Sequence, residues 1–514
     1  MSSRPPLLLI GLITGLLASP AGAESGDRLD VVRDLAMRVG PVVGSALACK
    51  DIARPRIKTI VEKFAVVIKE ASPNVAERAD LTQVLDSSVA SGRGAVKSGQ
   101  MDCGQADRQL AALERSIAGP ASPDDVAPNS VATADPPAAP GGIRGVSDHE
   151  IRFGMSAPFS GSARELGRQM KLGIDTAFNE INDAGGVHGR KLRLVAADDG
   201  YEPTRTVEAM TQLIEQQQVF GIIGNVGDPS TVVAVPYALQ RQMLFFGALT
   251  GANVLRHDPP DRYVFNYRAS YAEETSAVIH YLVKLRGVQP SQIAVFAQKD
   301  AYGDSGFAGV AKAIRALGAP DRDIVRLNYK RNTVEVQEAV NQLRTLKRPI
   351  KAIVMVATYR AAAKFIERAH NLFPAMIFTN VSSVDGTALA DELRLLGPQY
   401  AKGVVVTEVT PAVSGYSTLV LQYKNALGKY FPGEAPDYVS LEGYISATIL
   451  IEGLKRAGPD LDSEKLINTL EGMHDLDLGL GSKLTFGRDD HQASHRIWGT
   501  VLDENGRYQP IELE

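Results

Sequence analysis

Cysteine is nearly absent from this chain of 514 residues, which contains only Cys49 and Cys103. A single pair in an exported protein most often forms one disulfide, and two buried free thiols are the alternative. A bridge that closes a loop of this length stabilises its domain by roughly 4 kcal/mol if it acts through chain entropy. No histidine lies in this part of the sequence, so a zinc site on these thiols is not predicted.

Basic and aromatic residues are not in excess either. The formal net charge is −4, the aromatic content is 6%, and there is one tryptophan. Proteins that bind nucleic acid carry basic patches and often stack bases on aromatic rings, so this class is not predicted. A hydrophobic content of 44% and a charged content of 22% are typical of soluble globular proteins, and the length suffices for two or three domains.

The motifs of common enzyme classes are missing. The sequence has no Gly-x-Ser-x-Gly elbow, no phosphate loop ending in Gly-Lys-Ser/Thr and no His-Glu-x-x-His, which place a nucleophile, phosphates or zinc. His491 and His495, beside Asp489-Asp490, could share a helix face and hold a metal, but Gly487 favours a loop there. We therefore predict no enzyme, no metal site and no cofactor.

Long hydrophobic runs are also missing after the first residues. Arg4, the apolar run Leu7–Leu17 and the small residues Ala21–Ala23 are typical of a cleaved signal peptide over residues 1–23. No cysteine follows the cleavage point, so a lipid anchor is not predicted. No later run approaches the roughly 20 apolar residues that span a bilayer. We expect a periplasmic protein without a membrane span.

The remaining sequence shows two patterns joined by a linker. In residues 24–118 apolar residues recur at helical spacing, which predicts a bundle of about four helices without evident chemistry. Residues 119–147 are rich in Pro, Ala, Ser, Asp and Gly and predict a disordered linker. From Glu150 onward short apolar strands alternate with helices, which predicts an α/β fold of parallel sheets. The stretch is too long for one ordinary sheet, so we expect two doubly wound lobes.

One loop of this α/β region is the first candidate for a ligand site. Val219–Ile223 is a short apolar run, Asn225–Thr231 contains Gly227 and Pro229, and Val232–Leu239 is apolar and suited to a helix. The order strand, glycine turn, helix start brings backbone N–H groups to the carboxyl end of a sheet. Taken alone, this geometry predicts a cleft that favours an anion.

Four segments together resemble a known family. They are Ile151–Gly161 (IRFGMSAPFSG), Gly167–Gly173 (GRQMKLG), Asn182–Lys191 (NDAGGVHGRK) and Asp198–Tyr201 (DDGY). Residues 148–514 resemble type I periplasmic solute-binding proteins of the leucine/isoleucine/valine-binding branch, the receptors of branched-chain amino-acid ABC importers. The bundle of residues 24–118 lies outside the resemblance.

The resemblance implies a two-lobed clamp with three hinge strands, which closes on a small-molecule ligand and presents it to an ABC permease. We expect a monomer, and the composition predicts that it binds no nucleic acid. Lobe 1 is expected at about 148–268 and 409–482, and lobe 2 at about 269–408 and 483–514. The segments Leu484–Phe486 and Ile497–Leu502 are expected to return to lobe 2.

The resemblance also implies a set of ligand contacts on three cleft loops and two aromatic walls. In the family, hydroxyl and backbone groups of the first two loops hold a ligand carboxylate, tyrosines pack on the ligand, and a glutamate pairs with its ammonium. The corresponding residues here are Asn225, Asp228, Ser230, Thr231, Ala248, Leu249, Thr250, Tyr302, Tyr359, Asn380 and Ser382. Without the resemblance, Tyr302 and Tyr359 are better interpreted as ordinary packing residues.

Two positions depart from the family. The family glutamate falls in Asn380–Ser383, where no acid is present, and Asp385 is the nearest one. Asp228 stands where the family presents a hydroxyl to a carboxylate, and two facing carboxylates in a closed cleft are unfavourable. Asp228 therefore points away, or is paired, or the ligand is turned round or is not a plain amino acid. These departures favour a ligand with a cationic or amide end near Asp228.

A second function remains open for the chain. An importer receptor needs only the two lobes, whereas this chain also has the bundle at residues 24–118. The alternative is therefore a soluble sensor that passes a signal to a membrane receptor through the bundle.

Overall fold

The computed structural model describes residues 25–49, 52, 54–71, 75–98, 101–118 and 143–513. The predicted signal peptide and residues 119–142 of the predicted linker lie outside the described residues. The chain divides into two compact units between Thr133 and Ala134. None of the described helices combines the length and the apolar character needed to cross a membrane.

The first unit is helical in its described part. Its helices are α1 (Ser25–Ala48), α2 (Arg54–Ala71), α3 (Val75–Lys97) and α4 (Cys103–Ala118). Buried Val39, Phe64, Leu81 and Leu110 belong to one apolar core. Cys49 and Cys103 form a disulfide with their Cα atoms 5.6 Å apart, which is within the usual range. The predicted disulfide is confirmed.

The second unit begins with a parallel sheet of five strands, in the order β2-β1-β3-β4-β5. The strands are β1 (Glu150–Ala157), β2 (Lys191–Asp198), β3 (Gly221–Ile223), β4 (Phe245–Phe246) and β5 (Val264–Phe265). The helices between them are α5 (Arg164–Asp183), α6 (Pro203–Thr211) and α7 (Asp228–Leu239). Short strands suffice here because β1, β3, β4 and β5 are buried along most of their length.

A second sheet of seven strands follows, in the order β12-β11-β10-β9-β8-β6-β7. The strands are β6 (Ile293–Gln298), β7 (Val325–Tyr329), β8 (Ala352–Val356), β9 (Ile377–Asn380), β10 (Val405–Glu408), β11 (Trp498–Leu502) and β12 (Tyr508–Ile511). The helices are α8 (Tyr271–His280), α9 (Ala301–Ala316), α10 (Gln337–Thr345), α11 (Tyr359–Leu372), α12 (Gly386–Leu396) and α13 (Pro398–Ala401). Only the pairs β10–β11 and β11–β12 are antiparallel.

The chain then returns to the first sheet. Helices α14 (Thr418–Tyr430), α15 (Tyr438–Ala457) and α16 (Ser463–Glu471) belong to its core. Helix α15 crosses α5 so closely that a Cβ on Gly173 would lie 1.8 Å from the carbonyl oxygen of Ser440. We call the two sheets with their helices lobe 1 and lobe 2. Two mostly parallel α/β sheets confirm the predicted fold class.

The end of the chain departs from the expected lobe boundary. Leu484 and Phe486, expected in lobe 2, are buried in the core of lobe 1. The ring of Phe486 lies edge-on to Phe265 at 5.3 Å and to Phe246 at 6.2 Å. The chain joins the second sheet only at Trp498, so the boundary moves from residue 483 to beyond Ala493, the last residue of this segment in the lobe 1 core. The apolar side chains of Leu484 and Phe486 would suit the core of either lobe. The contacts of Phe486 with Phe265 and Phe246 place this segment in lobe 1.

Candidate ligand-binding site between the lobes

The loop after β3 has the predicted geometry. Gly227 has φ +86° and α7 begins at the next residue, Asp228. A Cβ on Gly227 would lie 2.1 Å from the ring of Tyr201, so only glycine fits there. Pro229 stands in the first turn of α7, where a missing N–H is harmless. The glycine and proline therefore place Asp228 at the start of the helix.

Asn225 and Thr231 hold this loop in place. The Asn225 side chain donates to the carbonyl oxygen of Ser156 at 2.7 Å and accepts from the Thr231 hydroxyl at 2.9 Å. The backbone N–H of Leu249 donates to the carbonyl oxygen of Asn225 at 2.8 Å, and this bond joins the first two predicted loops. Both side chains therefore support the site, since their polar groups are already used within lobe 1.

Ser230 faces a second buried group behind the loop. The Thr206 hydroxyl lies 3.0 Å from the Ser230 hydroxyl and 3.1 Å from the Asp199 carboxylate, which accepts a hydrogen bond there. Burial raises the pKa of Asp199, and the hydroxyls of Ser156 and Ser230 partly offset this effect. The Ser230 hydroxyl is thus part of the scaffold of lobe 1.

Asp228 is paired within the protein. Its side chain is fully buried, and its Oδ1 accepts from the Thr250 hydroxyl and, at 3.1 Å, from the Tyr271 hydroxyl. Within the described residues, Oδ2 accepts no hydrogen bond of normal geometry, although the Ser305 hydroxyl lies near enough to lower the pKa. Burial dominates over the hydroxyls of Thr250, Ser305 and Tyr271, so the pKa of Asp228 rises to about 6.

A chain of hydroxyls connects Asp228 of lobe 1 with lobe 2. The Tyr271 and Ser383 hydroxyls lie 2.9 Å apart, and Ser383 donates to the Tyr302 hydroxyl at 3.3 Å. The rings of Tyr271 and Tyr302 lie 5.5 Å apart. The structure therefore brings three of the predicted site residues, Asp228, Thr250 and Tyr302, together through two residues that were not predicted, Tyr271 and Ser383.

Tyr271 and Ser383 had only weak signals in the sequence. Ser270 and Glu273 form a capping box, with the Ser270 side chain accepting from the Glu273 N–H and the Glu273 side chain from the Ser270 N–H. The Ser-x-x-Glu pattern indicates a helix start at Tyr271, but not the direction of the side chain. Ser383 lies in the stretch where the family glutamate was sought.

Tyr359 and Asp385 are two further buried residues of lobe 2. Tyr359 begins α11 and is 2% exposed, and its hydroxyl has no hydrogen-bond partner among the described residues. Asp385 caps α12 by accepting from the N–H of Ala388 at 3.0 Å, while its Oδ2 has no such partner in the same part of the chain. Burial and the nearby Asp437 raise the pKa of Asp385 well above its usual range.

Asn380 and Ser382 turn away from these groups. The Asn380 side chain donates to the carbonyl oxygen of Ala357 at 3.2 Å and accepts from the N–H of Val381 at 3.0 Å. The Ser382 hydroxyl donates to Glu274 at 3.0 Å and accepts from Arg268. Asn380 therefore joins two strand ends, and Ser382 belongs to a separate charge network.

That network, which we call the hinge network, consists of Arg268, Glu274 and Glu442. The Arg268 guanidinium lies 3.0 Å from Glu274 and 3.4 Å from Glu442, and all three side chains are buried. Burial lowers the pKa of Arg268, but Glu442 and Glu274 together raise it above its usual value. Burial raises the pKa of Glu442 to about 7 despite Arg268. Arg268 follows β5 of lobe 1, and Glu442 lies in α15, after the chain has returned to lobe 1.

The two lobes touch at a polar contact that we call the latch. Arg331 of lobe 2 lies 2.8 Å from Glu202 of lobe 1 and 3.0 Å from Asp300. Asn332 donates to Glu202 at 2.6 Å and to the carbonyl oxygen of Gly200 at 3.1 Å. These bonds join lobe 2 to lobe 1.

The histidines near the chain end have structural contacts. His491 stacks on Phe265 at 3.9 Å, and His495 lies 2.6 Å from Glu273 and 3.0 Å from Asp490. The bond to Glu273 outweighs burial and raises the pKa of His495 to about 9. Among the described residues, no group of three His, Cys, Asp or Glu is arranged to hold a metal ion.

Comparisons with known proteins place this geometry in context. A family model described as periplasmic binding protein matches residues 150–507. The Leu/Ile/Val-binding protein homolog 3 of Brucella melitensis biotype 1 is 26% identical over 67% of this chain and 89% of that protein.

Two solved structures share the fold. A possible leucine/isoleucine/valine-binding protein from Rhodopirellula baltica SH 1 matches with a TM-score of 0.67 and 37% identity, over 73% of this chain and 99% of that chain. The branched-chain amino acid transporter substrate binding protein LivJ from Streptococcus pneumoniae, in complex with isoleucine, matches with a TM-score of 0.60 and 17% identity, over 71% of this chain and 99% of that chain.

Proposed function

Because the chain belongs to the periplasmic binding protein family, in the branch of the Leu/Ile/Val-binding proteins, we propose that it is the soluble receptor of an ABC importer. It captures a small polar ligand, either an amino acid or an amino-acid-like or amide compound. The protein acts in the periplasm as a monomer after removal of residues 1–23. The family is one of substrate-binding proteins, and no catalytic role is proposed.

The observation that carries this proposal is the convergence of polar groups from both lobes. Asp228 and Thr250 come from lobe 1, Tyr302 and Ser383 come from lobe 2, and Tyr271 joins them by hydrogen bonds. A solute that contacts both lobes stabilises the closed clamp relative to the open one. Closure of this kind is the signal that a permease can recognise.

Ligand-dependent closure tests the proposal. Native mass spectrometry of the full mature chain, as purified, identifies any retained solute. Hydrogen exchange then compares the protein before and after removal of that solute, at the latch peptides that contain Glu202 and Arg331. Slower exchange with solute present is expected, because the latch bonds form only when the lobes meet. Identical exchange with every solute offered from a library of amino acids, amides and amines contradicts the receptor function.

A second candidate function has its own observation. The match to the Rhodopirellula baltica structure covers 99% of that chain but 73% of this one, and the disulfide-linked helical unit lies outside residues 150–507. That additional unit motivates the alternative that the chain is a soluble sensor, which signals to a membrane receptor through the unit. Capture from solubilised membranes, with and without residues 24–118, separates the two functions. Recovery of an ABC permease by the truncated form removes the support for a sensor.

A further inference from the structure

At the lobe 1 end of the cleft, the hydroxyl donors already bond to a carboxylate of the protein. Asp228 lies at the start of α7, and its carboxylate accepts from the hydroxyls of Thr250 and Tyr271. An anionic ligand group at this point would face a buried carboxylate, which is strongly unfavourable at short range. The Asp228 carboxylate thus takes the place that a ligand carboxylate would need.

More buried carboxylates lie beyond Ser383. Ser383 bonds Tyr271 and precedes Asp385 by two positions. Asp437 of lobe 1 raises the pKa of Asp385, and it also raises the pKa of Glu408. All three carboxylates are at most 2% exposed. We call Asp385, Glu408 and Asp437 the acidic cluster, and it contains groups from both lobes.

The acidic cluster has acceptors that the protein does not use. Oδ2 of Asp385, Oε1 of Glu408 and the Tyr359 hydroxyl have no hydrogen-bond partner in the described part of the chain. A Cβ on Gly386, the residue after Asp385, would lie 2.7 Å from Oε1 of Glu408, so these two carboxyl-bearing residues are neighbours. Besides burial, Asp385 also raises the pKa of Tyr359. Unpartnered buried oxygens are rare in folded proteins because each one costs about 1–3 kcal/mol. Here one oxygen each of Asp385, Glu408 and Tyr359 shares this condition.

The arginines that act on the acidic cluster are already neutralised. Arg268 lowers the pKa of Glu408, and it is paired with Glu274 and Glu442. In the same way Arg168 lowers the pKa of Asp437, and it is paired with two glutamates. These are Glu165, at 2.7 Å, and Glu434, at 3.0 Å. The cations near the cluster are therefore already paired, and burial with the neighbouring carboxyls raises the pKa of Asp385 and of Glu408 well above the usual range.

We propose that the ligand of this clamp is an organic amine with a cationic ammonium and no free carboxylate. The ammonium is received by Asp385, with Tyr359 and Glu408 as further acceptors, and the Asp228 end takes an uncharged or donor group. An ammonium has three N–H donors and no acceptor, which matches a site rich in unpartnered oxygens. This inference rests on the proposed receptor function and names its ligand class.

A matched set of five solutes tests the ligand class. They share one branched carbon skeleton and differ in charge: leucine, leucinamide, 3-methylbutylamine, isovaleramide and isovalerate. Calorimetry on the full mature chain, freed of retained solute, is expected to show binding of leucinamide and 3-methylbutylamine. Leucine and isovalerate are expected to bind at least about tenfold more weakly, as loss of a hydrogen bond to a charged group implies.

Single substitutions locate the ammonium. Asp385→Asn is expected to weaken both amines by about ten- to a hundredfold, and Tyr359→Phe to weaken them less, while isovaleramide is unaffected by either. Asp460→Asn is the control, because Asp460 is exposed. Asp228→Ser is expected to raise the affinity for leucine, since it frees the two hydroxyl donors. Unfolding temperatures without solute establish that each variant is folded.

The outcomes separate the two proposals. Tight binding of leucine or isovalerate by the unchanged protein overturns the amine assignment and leaves the receptor function intact. Failure of both amines at millimolar concentration also overturns the assignment, and native mass spectrometry of the retained solute then decides on the receptor function. Amines that bind equally well to Asp385→Asn overturn the assignment too.

Discussion

At the scale of single residues, we expect Asp228 to determine what the cleft can accept. The helix start around it favours an anion, and the protein supplies that anion itself. Its carboxylate is held by Thr250 and Tyr271 and is fully buried. Of the alternatives left by the sequence, the paired carboxylate is the one observed.

The buried Asp228 predicts a pH dependence of stability. Its pKa is about 6 in the folded chain, against 3.8 for the free side chain, so folding favours the protonated form. This contribution is complete below 3.8 and is lost as the pH rises through about 6. Asp228→Asn stays neutral. Its free energy of unfolding, relative to that of the unchanged protein, is therefore expected to rise by roughly 3 kcal/mol as the pH increases from below 3.8 to above about 6.

Urea unfolding of both proteins at a series of pH values measures this difference. The Asp460→Asn variant controls for the loss of one charge, because Asp460 is exposed. If the stabilities of Asp228→Asn and the unchanged protein follow parallel curves with pH, the titration of Asp228 is not the cause.

At the scale of elements, loops that follow strands carry the contacts between the lobes. The latch joins the segment after β2, which contains Gly200 and Glu202, to the segment after β7, which contains Arg331 and Asn332. Asn332 has φ +59°, a left-handed conformation that asparagine tolerates. These contacts between the lobes therefore come from two surface loops.

The latch predicts a change in ligand release. Arg331→Ala removes bonds that exist only in the closed clamp, so it is expected to speed dissociation of the bound solute by up to about fivefold, since a partly exposed ion pair contributes up to about 1 kcal/mol. The Arg331 side chain is 24% exposed and that of Glu202 39%. Stopped-flow measurement of solute release gives the rate, and Lys330→Ala is the control because Lys330 is exposed. Equal release rates for all three proteins exclude a role of the latch.

At the scale of the whole molecule, the hinge network fixes the junction of the lobes. Glu274 accepts from the N–H of Ser382 at 2.8 Å and from the Thr407 hydroxyl at 2.5 Å, as well as from Arg268. These partners come from separate passages of the chain. One buried arginine therefore organises segments that are far apart in sequence.

The hinge network predicts a large effect of removing its cation. Arg268→Met leaves Glu274 and Glu442 buried without a counter-charge, and is expected to reduce the free energy of unfolding by about 3–5 kcal/mol. Chemical denaturation measures the loss, and Arg322→Met is the control because Arg322 is exposed. A loss no larger than that of the control shows that the network does not stabilise the fold.

The sequence by itself determined the features that depend on local order. The alternation of strands and helices, the glycine turn before α7 and the single cysteine pairing follow from periodicity, backbone preference and count. The tertiary structure decided the features that depend on distant contacts. Tyr271 meets Ser383 across 112 positions, and Leu484 and Phe486 pack on lobe 1 through Phe265. A side chain's partner at such separation is set by the packing of whole elements, which no local pattern encodes.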